Sequence, residues 1–479
     1  MTPRGRSLTR CWMASLAAAR PPAASGKILE QCRAAPRKKG ATKVRIDFGG
    51  TDNHHGAPPK MTAEAKIQKA PFISSLLQSG IIFTAITFAT SLGNLLVQRL
   101  FGTSLTSNGD YADANSAISA LIPLLGLLPA TASIAITHYI AHYRGSGDTA
   151  RLQGLLLGCR KFLFRLTLAG SVLTLIVIKP LSNYFHYTET MMIAVLINTL
   201  FTLWSAFAFA LCSGLGWFKR LALIGFLTVL LKILLVWAFT KIWATSEMAV
   251  LATAFALLAN LILLYWRKEL SPSGAVPVSP WNAEFAHFFI VSAAFSLGTI
   301  CFFQGDLFVA QHFFSDDERA PFTAAGGLAR ALPTTVQPLM FVLFTSRTVR
   351  QTGGVVKEQL KLLGLAALGL LGGVIGLVLL PTLALKLTGR YSPEAAANIA
   401  PFAVTMVFVG LLQALSFWVL ASRWLKTSLL FGALGVGYWL TLHTFGKNSA
   451  AILNVMPIAA GVAFAVMLVV WLQNMRQRA

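Results

Sequence analysis

The chain has 479 residues, of which 55% are hydrophobic and only 12% charged, with a formal net charge of +23 and a mean hydropathy of +0.65. A water-soluble domain carries about 25% charged residues, so an ordinary soluble enzyme or binding module is excluded. The basic excess would suit nucleic acid if it formed a soluble face; here it lies between long apolar runs, the pattern of Lys and Arg on cytoplasmic membrane loops, and no nucleic-acid partner is expected.

Residues 1–60 are a different polymer, holding 12 Lys/Arg and 3 acidic residues among Ala, Pro and Gly. Their longest apolar stretch, Trp12 to Ala19, ends at Arg20 and is too short for a signal core. They read as a disordered basic tail. Met61 opens a second compact start, Met-Thr-Ala-Glu-Ala-Lys, and translation from it would omit the tail. His54 and His55 are a solvated pair without partners. The five cysteines, Cys11, Cys32, Cys159, Cys212 and Cys301, contain no CxxC spacing and read as small apolar residues.

A membrane helix needs about 20 mostly apolar residues. Runs of that kind are predicted at 73–98, 114–139, 162–178, 191–215, 221–240, 246–266, 286–312, 321–345, 362–385, 395–421, 427–444 and 449–472. They are too long for barrel strands, so the fold class is all-α integral membrane with about 12 transmembrane helices. Connections on one side, together with the segment before the first helix and the C-terminus, hold 19 Lys/Arg; those on the other hold 7. The positive-inside rule then puts both termini in the cytoplasm. The longest outer loop, 99–113, has 15 residues, which leaves no outer soluble domain.

The stretch 269–284, with Pro272, Pro277 and Pro280, divides the helices six and six: a lobe over 61–268, a cytoplasmic linker over 269–284 and a lobe over 285–479. A repeat supports the division. Arg144, Gly147, Arg151, Gln153, Leu156, Leu157 and Gly158 recur at identical spacing as Arg350, Gly353, Lys357, Gln359, Leu362, Leu363 and Gly364. Two pseudo-symmetric six-helix bundles entering from the same side suit a central cavity that opens alternately to each face.

Charges at bilayer depth are costly and mark functional positions. Lys232 falls mid-way along the fifth span, Asp306 in the seventh and Arg330 in the eighth. The short connection makes the seventh and eighth spans antiparallel neighbours, which brings Asp306 and Arg330 to similar depth. Two readings stand: a structural ion pair, or a polar cavity in which Arg330 and Lys232 offer charge to an anionic head group. Polar residues at depth, Asn94, Gln98, Asn260, Gln304, Gln337, Gln413 and Asn454, suit interhelical hydrogen bonds. The candidate substrate-binding set is Arg330, Lys232, Asp306, Gln337 and Asn94. Pro333 and Pro338 predict a kink in the eighth helix, and Pro123 and Pro129 one in the second. Asp110, Asp113, Asp316, Asp317 and Glu318 lie in outer loops; they are either solvated or a metal site for glycosyl transfer. No GxxxxGK[ST], HExxH or GxSxG occurs, so neither an ATPase nor a hydrolase is expected, no cofactor is implied, and transport energy would come from a gradient, with H+ or Na+ as coupling ion.

Two stretches carry a family resemblance. His138-Tyr139-Ile140-Ala141-His142-Tyr143-Arg144-Gly145-Ser146-Gly147-Asp148, followed by Leu152 and Leu155-Leu156, resembles the Gly-Asp turn after helix two of the multidrug/oligosaccharidyl-lipid/polysaccharide exporter superfamily. Asp306-Leu307-Phe308-Val309-Ala310, then Phe322, Ala325, Leu328-Ala329 and Pro333, resembles that superfamily's helices seven and eight. Leu387-Thr388-Gly389 with Tyr391 and Ala395-Ala396 is similar to its loop before helix ten. The resemblance spans about 73–472 and is nearest to the polysaccharide-transport branch, with Phe322 where Tyr is usual and Leu307 where a basic residue is usual. It implies a flippase in the bacterial cytoplasmic (inner) membrane that moves a polyprenyl-pyrophosphate-linked oligosaccharide between leaflets, among membrane lipids, by alternating access. One alternative is a drug/cation antiporter of the same superfamily, against which stands the lack of Asp or Glu within spans one to six apart from Glu247 near an end. Another is a membrane glycosyltransferase or polysaccharide polymerase.

Overall fold

The computed structural model describes residue 86 and residues 89–265, 283–349, 355–389, 391–421 and 424–476. The tail over 1–60, the start at Met61 and most of the linker at 269–284 lie outside them. The described residues contain helices and no strand. In chain order the helices are α1 (89–104), α2 (Asn108–Leu125), α3 (Leu127–Ser146), α4 (Thr149–Phe185), α5 (Glu189–Gly214), α6 (Phe218–Ile242), α7 (Ser246–Tyr265), α8 (Ala283–Phe313), α9 (Asp316–Val349), α10 (Val355–Leu379), α11 (Pro381–Thr388), α12 (Pro393–Ala421), α13 (Leu425–Phe445) and α14 (Ser449–Arg476). Among the described residues, α5, α6, α8, α12, α13 and α14 are each long and apolar enough to cross a bilayer, and α2 with α3 forms a further, bent span. The chain is a multi-pass membrane protein in which every predicted span overlaps a helix.

Two boundaries differ from the sequence reading and one predicted kink takes a definite form, each for a local chemical reason. The first outer loop is residues 105–107, not 99–113, because Ser107 caps α2 early: its Oγ accepts the Asp110 N–H at 2.8 Å, satisfying a donor that a helix start leaves free. The predicted kink in the second span is a 60° bend at Gly126. Pro123 lacks an N–H, a π-helical turn over Ala117–Leu121 absorbs the mismatch, and Pro129 sits in the first turn of α3, where no donor is needed. The ninth span breaks at Leu380, where Pro381 begins the separate helix α11. By contrast α9 runs unbroken through Pro333 and Pro338. The Gly-Asp turn after α3 is as the motif requires: Gly147 is left-handed at φ 74° and Asp148 accepts the Arg151 N–H at 3.0 Å.

One scheme of helix pairing occurs twice. In the N-terminal half α3 packs on α5, α5 on α7 and α6 on α7; in the C-terminal half α9 packs on α12, α12 on α14 and α13 on α14. Glycines allow the closest crossings. A Cβ at Gly93 of α1 would strike Val229 of α6, and one at Gly435 of α13 would lie 2.6 Å from the Gly298 Cα of α8. Small residues at such crossings let backbones approach where lipid gives helices little hydrophobic reason to associate.

Candidate functional site

The helix ends divide the bundle into two faces. Residues 105–107, 186–188, 243–245 and 314–315 connect helices at the acidic end, which carries Asp110, Asp113, Asp316, Asp317 and Glu318. The opposite, basic end carries Arg144, Arg151, Arg160, Lys161 and Arg165. Arg144 donates to the Leu215 carbonyl there.

Asp306 and Arg330 meet. The Arg330 Nη2 donates to Asp306 Oδ2, and its Nε donates to the Phe303 carbonyl at 2.8 Å. Asp306 is 0% and Arg330 9% exposed. The guanidinium also lies over the Phe402 ring, 5.8 Å from its centroid, a cation–π contact. Gly326, one turn earlier on α9, leaves the space this requires: a Cβ there would lie 2.8 Å from Arg330 Nη1. Asp306 Oδ1 and the Tyr438 hydroxyl of α13 are both buried without a hydrogen-bond partner, and Tyr438 feels the charge of both members of the pair. The pair therefore stands inside the C-terminal half, with its charges facing each other and not a cleft between the halves.

The other candidates separate. Lys232 is half-buried on α6, in register with buried Val229 and Val236, and meets no ion-pair or hydrogen-bond partner among the described residues. Asn94 of α1 is exposed, one turn from Gln98, whose amide lies 3.1 Å from where a Cβ on Gly327 of α9 would stand. That contact puts the Gln98 side of α1 against the C-terminal half. The side chains of Gln337 and Asn260 lie outside the described residues.

A second polar cluster, at the acidic end, joins the halves. Arg319 of α9, 6% exposed, bridges Asp316 on its own helix and Asp113 on α2, the latter at 3.1 Å. The Gln311 amide of α8 donates to Asp113 Oδ1 and to the Phe185 carbonyl, both at 3.0 Å. Burial, with Asp113 beside it, pushes the Tyr187 hydroxyl far up, so it stays protonated and bonds Ser116. Among the described residues no His, Cys, Asp and Glu group is arranged to hold a metal; Asp113, Asp316 and Asp317 are engaged with Arg319, Gln311 and Asn108. Arg319 was read from the sequence only as a loop charge. The signal for it was the repeat: at its 206-residue offset, Asp110 corresponds to Asp316, so the two acidic helix starts are equivalent positions, with Arg319 one turn beyond the second.

No protein-family model and no curated protein matches the sequence. Solved structures do match the fold. A multidrug resistance MATE family transporter of the MOP superfamily, solved in an outward-facing conformation, superposes with a TM-score of 0.64 at 13% identity, over 83% of this chain and 96% of that one. Its inward-facing counterpart gives 0.63 at 15% identity, over 84% and 100%. An Asp-to-Asn variant of the Vibrio cholerae MATE transporter VcmN gives 0.56 at 14%, over 84% and 98%. The fold is thus that of MATE transporters, and the polysaccharide-transport branch has no counterpart among these structures.

Proposed function

We propose that the chain is a membrane transporter working by alternating access, in which lobes over 61–268 and 285–479, joined by 269–284, rock about a central pathway. The repeated helix pairing supports this, as does the fold's similarity to both an outward-facing and an inward-facing transporter. The cargo is an anionic lipid-linked saccharide, of the polyprenyl-pyrophosphate type, moved outward across the bacterial inner membrane.

The observation that carries the cargo class is Lys232: an ammonium at mid-membrane without a carboxylate partner among the described residues. It would repel an organic cation and attract a pyrophosphate, with Asn94 and Gln337 as uncharged contacts along the pathway. Asp306 and Arg330 form the coupling element. H+ or Na+ arriving at the unpartnered Asp306 Oδ1 would weaken the pair and release Arg330 to a new partner. A second reading, a drug/cation antiporter, is favoured by the multidrug resistance transporters that share the fold.

Purified full-length protein in liposomes, given a fluorescent polyprenyl-pyrophosphate oligosaccharide or a lipophilic cation dye, separates the two. Transport of the lipid-linked sugar is expected, reduced about tenfold or more by Lys232→Ala, a loss of about 1.4 kcal/mol. Dye efflux that Lys232→Ala leaves unchanged, without sugar transport, would establish the antiporter.

A further inference from the structure

At the acidic end the two halves are joined by apolar packing, with Phe185 on Phe308 at 6.1 Å between ring centroids, and by a set of polar contacts. Arg319 reaches Asp113 at 3.1 Å, Gln311 reaches Asp113 and the Phe185 carbonyl at 3.0 Å, and Asn108 reaches Asp317 at 3.5 Å. His312 stacks on Tyr184 with ring centroids 4.5 Å apart, its Nδ1 3.2 Å from the Tyr184 carbonyl. At the basic end the halves touch through aromatic rings: His138 of α3 stacks on Phe288 of α8 at 4.3 Å, and Tyr139 packs on Phe285.

We propose that Arg319 is a latch that holds the acidic ends of the two halves together, and that breaking its bond to Asp113 opens this end of the pathway. Three features make it a latch and not simply packing. First, it is one cation among several carboxylates. Asp110 and Asp316 stand close enough to Asp113 for their charges to be felt there, and a Cβ on Gly109 of α2 would lie 2.8 Å from Asp316 Oδ2. Like charges are thus pressed together across the seam, and Arg319 is what offsets them. Without it the same carboxylates push α2 and α9 apart. Second, the carboxylates can be rehydrated. The Asp113 side chain is 23% and that of Asp316 64% exposed, so water already reaches the acidic side of the seam. Third, Arg319 has a resting place in either state. Its bond to Asp316 lies within α9 and survives opening, so the guanidinium is never left buried and bare, the outcome that makes breaking an ion pair expensive. Its Nε has no partner in the closed arrangement, which leaves it free for a different one.

This inference rests on the two halves moving as proposed above, but not on the cargo. The test therefore reads the seam itself. Tyr184→Cys and His312→Cys, which report closure without touching Arg319 or its carboxylates, are placed together in the full chain in membranes. They are joined with a short bifunctional thiol reagent, with the chain lacking both substitutions as control for the native cysteines. The product is scored as a chain that stays joined after proteolysis at a site inserted in 269–284. Rapid cross-linking is expected, slowed several-fold by Arg319→Gln and by Asp113→Asn, and restored when Asp113→Arg and Arg319→Asp are combined. If Arg319→Gln does not accumulate, Asp113→Asn decides alone, because it leaves Arg319 paired with Asp316. Unchanged cross-linking in membrane-inserted Asp113→Asn would overturn the latch. Slowed cross-linking in a protein that transports no cargo would keep the latch and remove the transporter reading instead.

Discussion

A charged side chain at bilayer depth persists only where something offsets it, and Asp306 and Arg330 offset one another. Truncating one leaves the other buried and unpaired, at a cost of about 3–5 kcal/mol, whereas removing both leaves a polar gap with no orphan charge. Arg330→Ala is therefore expected to lower the amount of folded protein recovered from membranes, and Asp306→Ala with Arg330→Ala to recover much of it, measured by fluorescence-detected size exclusion. Transport should stay lost in the double variant if the pair couples transport as proposed. A single Arg330→Ala protein at normal abundance and wild-type transport rate would remove the pair from both roles. The pairing was legible in the sequence, since two opposite charges at matching depth on consecutive antiparallel helices have little choice of partner. Its surroundings were not: Phe402 and Tyr438 come from α12 and α13, and no local pattern joins a residue to a ring so distant in sequence. Arg319 escaped for a related reason. Its partner Asp113 lies in the other half of the chain, and a charge near a loop looks solvated until the fold closes over it.

At the scale of helices, hydropathy gave the number and order of spans because lipid forces every backbone group into internal hydrogen bonds. It gave the ends poorly. Caps and breaks depend on single residues such as Ser107, Gly126 and Pro381, which change mean hydropathy very little. Helix crossings were equally silent, because a glycine at a contact and a glycine facing lipid look alike in sequence. Gly435 and Gly437 make the distinction testable. A Cβ at Gly435 would lie 2.6 Å from the Gly298 Cα and 2.9 Å from its carbonyl oxygen, both rigid backbone, while a Cβ at Gly437 meets nothing within 4 Å. Gly435→Ala must push α8 and α13 apart, a strain of about 1–3 kcal/mol. Gly437→Ala is expected to be neutral or stabilising by up to about 1 kcal/mol, since Ala is the better helix former. Thermal unfolding of the two detergent-purified variants should place Gly435→Ala clearly below wild type and Gly437→Ala level with or above it. A reversed order would mean that the α8–α13 crossing is looser than these distances imply.

For the molecule as a whole, the two ends of the bundle differ in charge, and that difference orients it. Arg144, Arg151, Lys219 and Arg220 flank the connections that follow α3 and α5, while Asp110, Asp113, Asp316, Asp317 and Glu318 follow the connections after α1 and α8. Basic residues resist translocation, so the basic end is predicted to be cytoplasmic, which would make the Arg319 latch face outward. Reporter fusions read it directly. Fusions after Gly147 and Gly354 should be active only with a cytoplasmic reporter; fusions after Thr106 and Ser315, at the two connections beside the latch, should be active only with an external one. Opposite signals at any two of the four sites would invert or break the twelve-helix topology. The direction of the latch would invert with it, while its cross-linking behaviour, which depends only on the distance between Tyr184 and His312, would remain as expected.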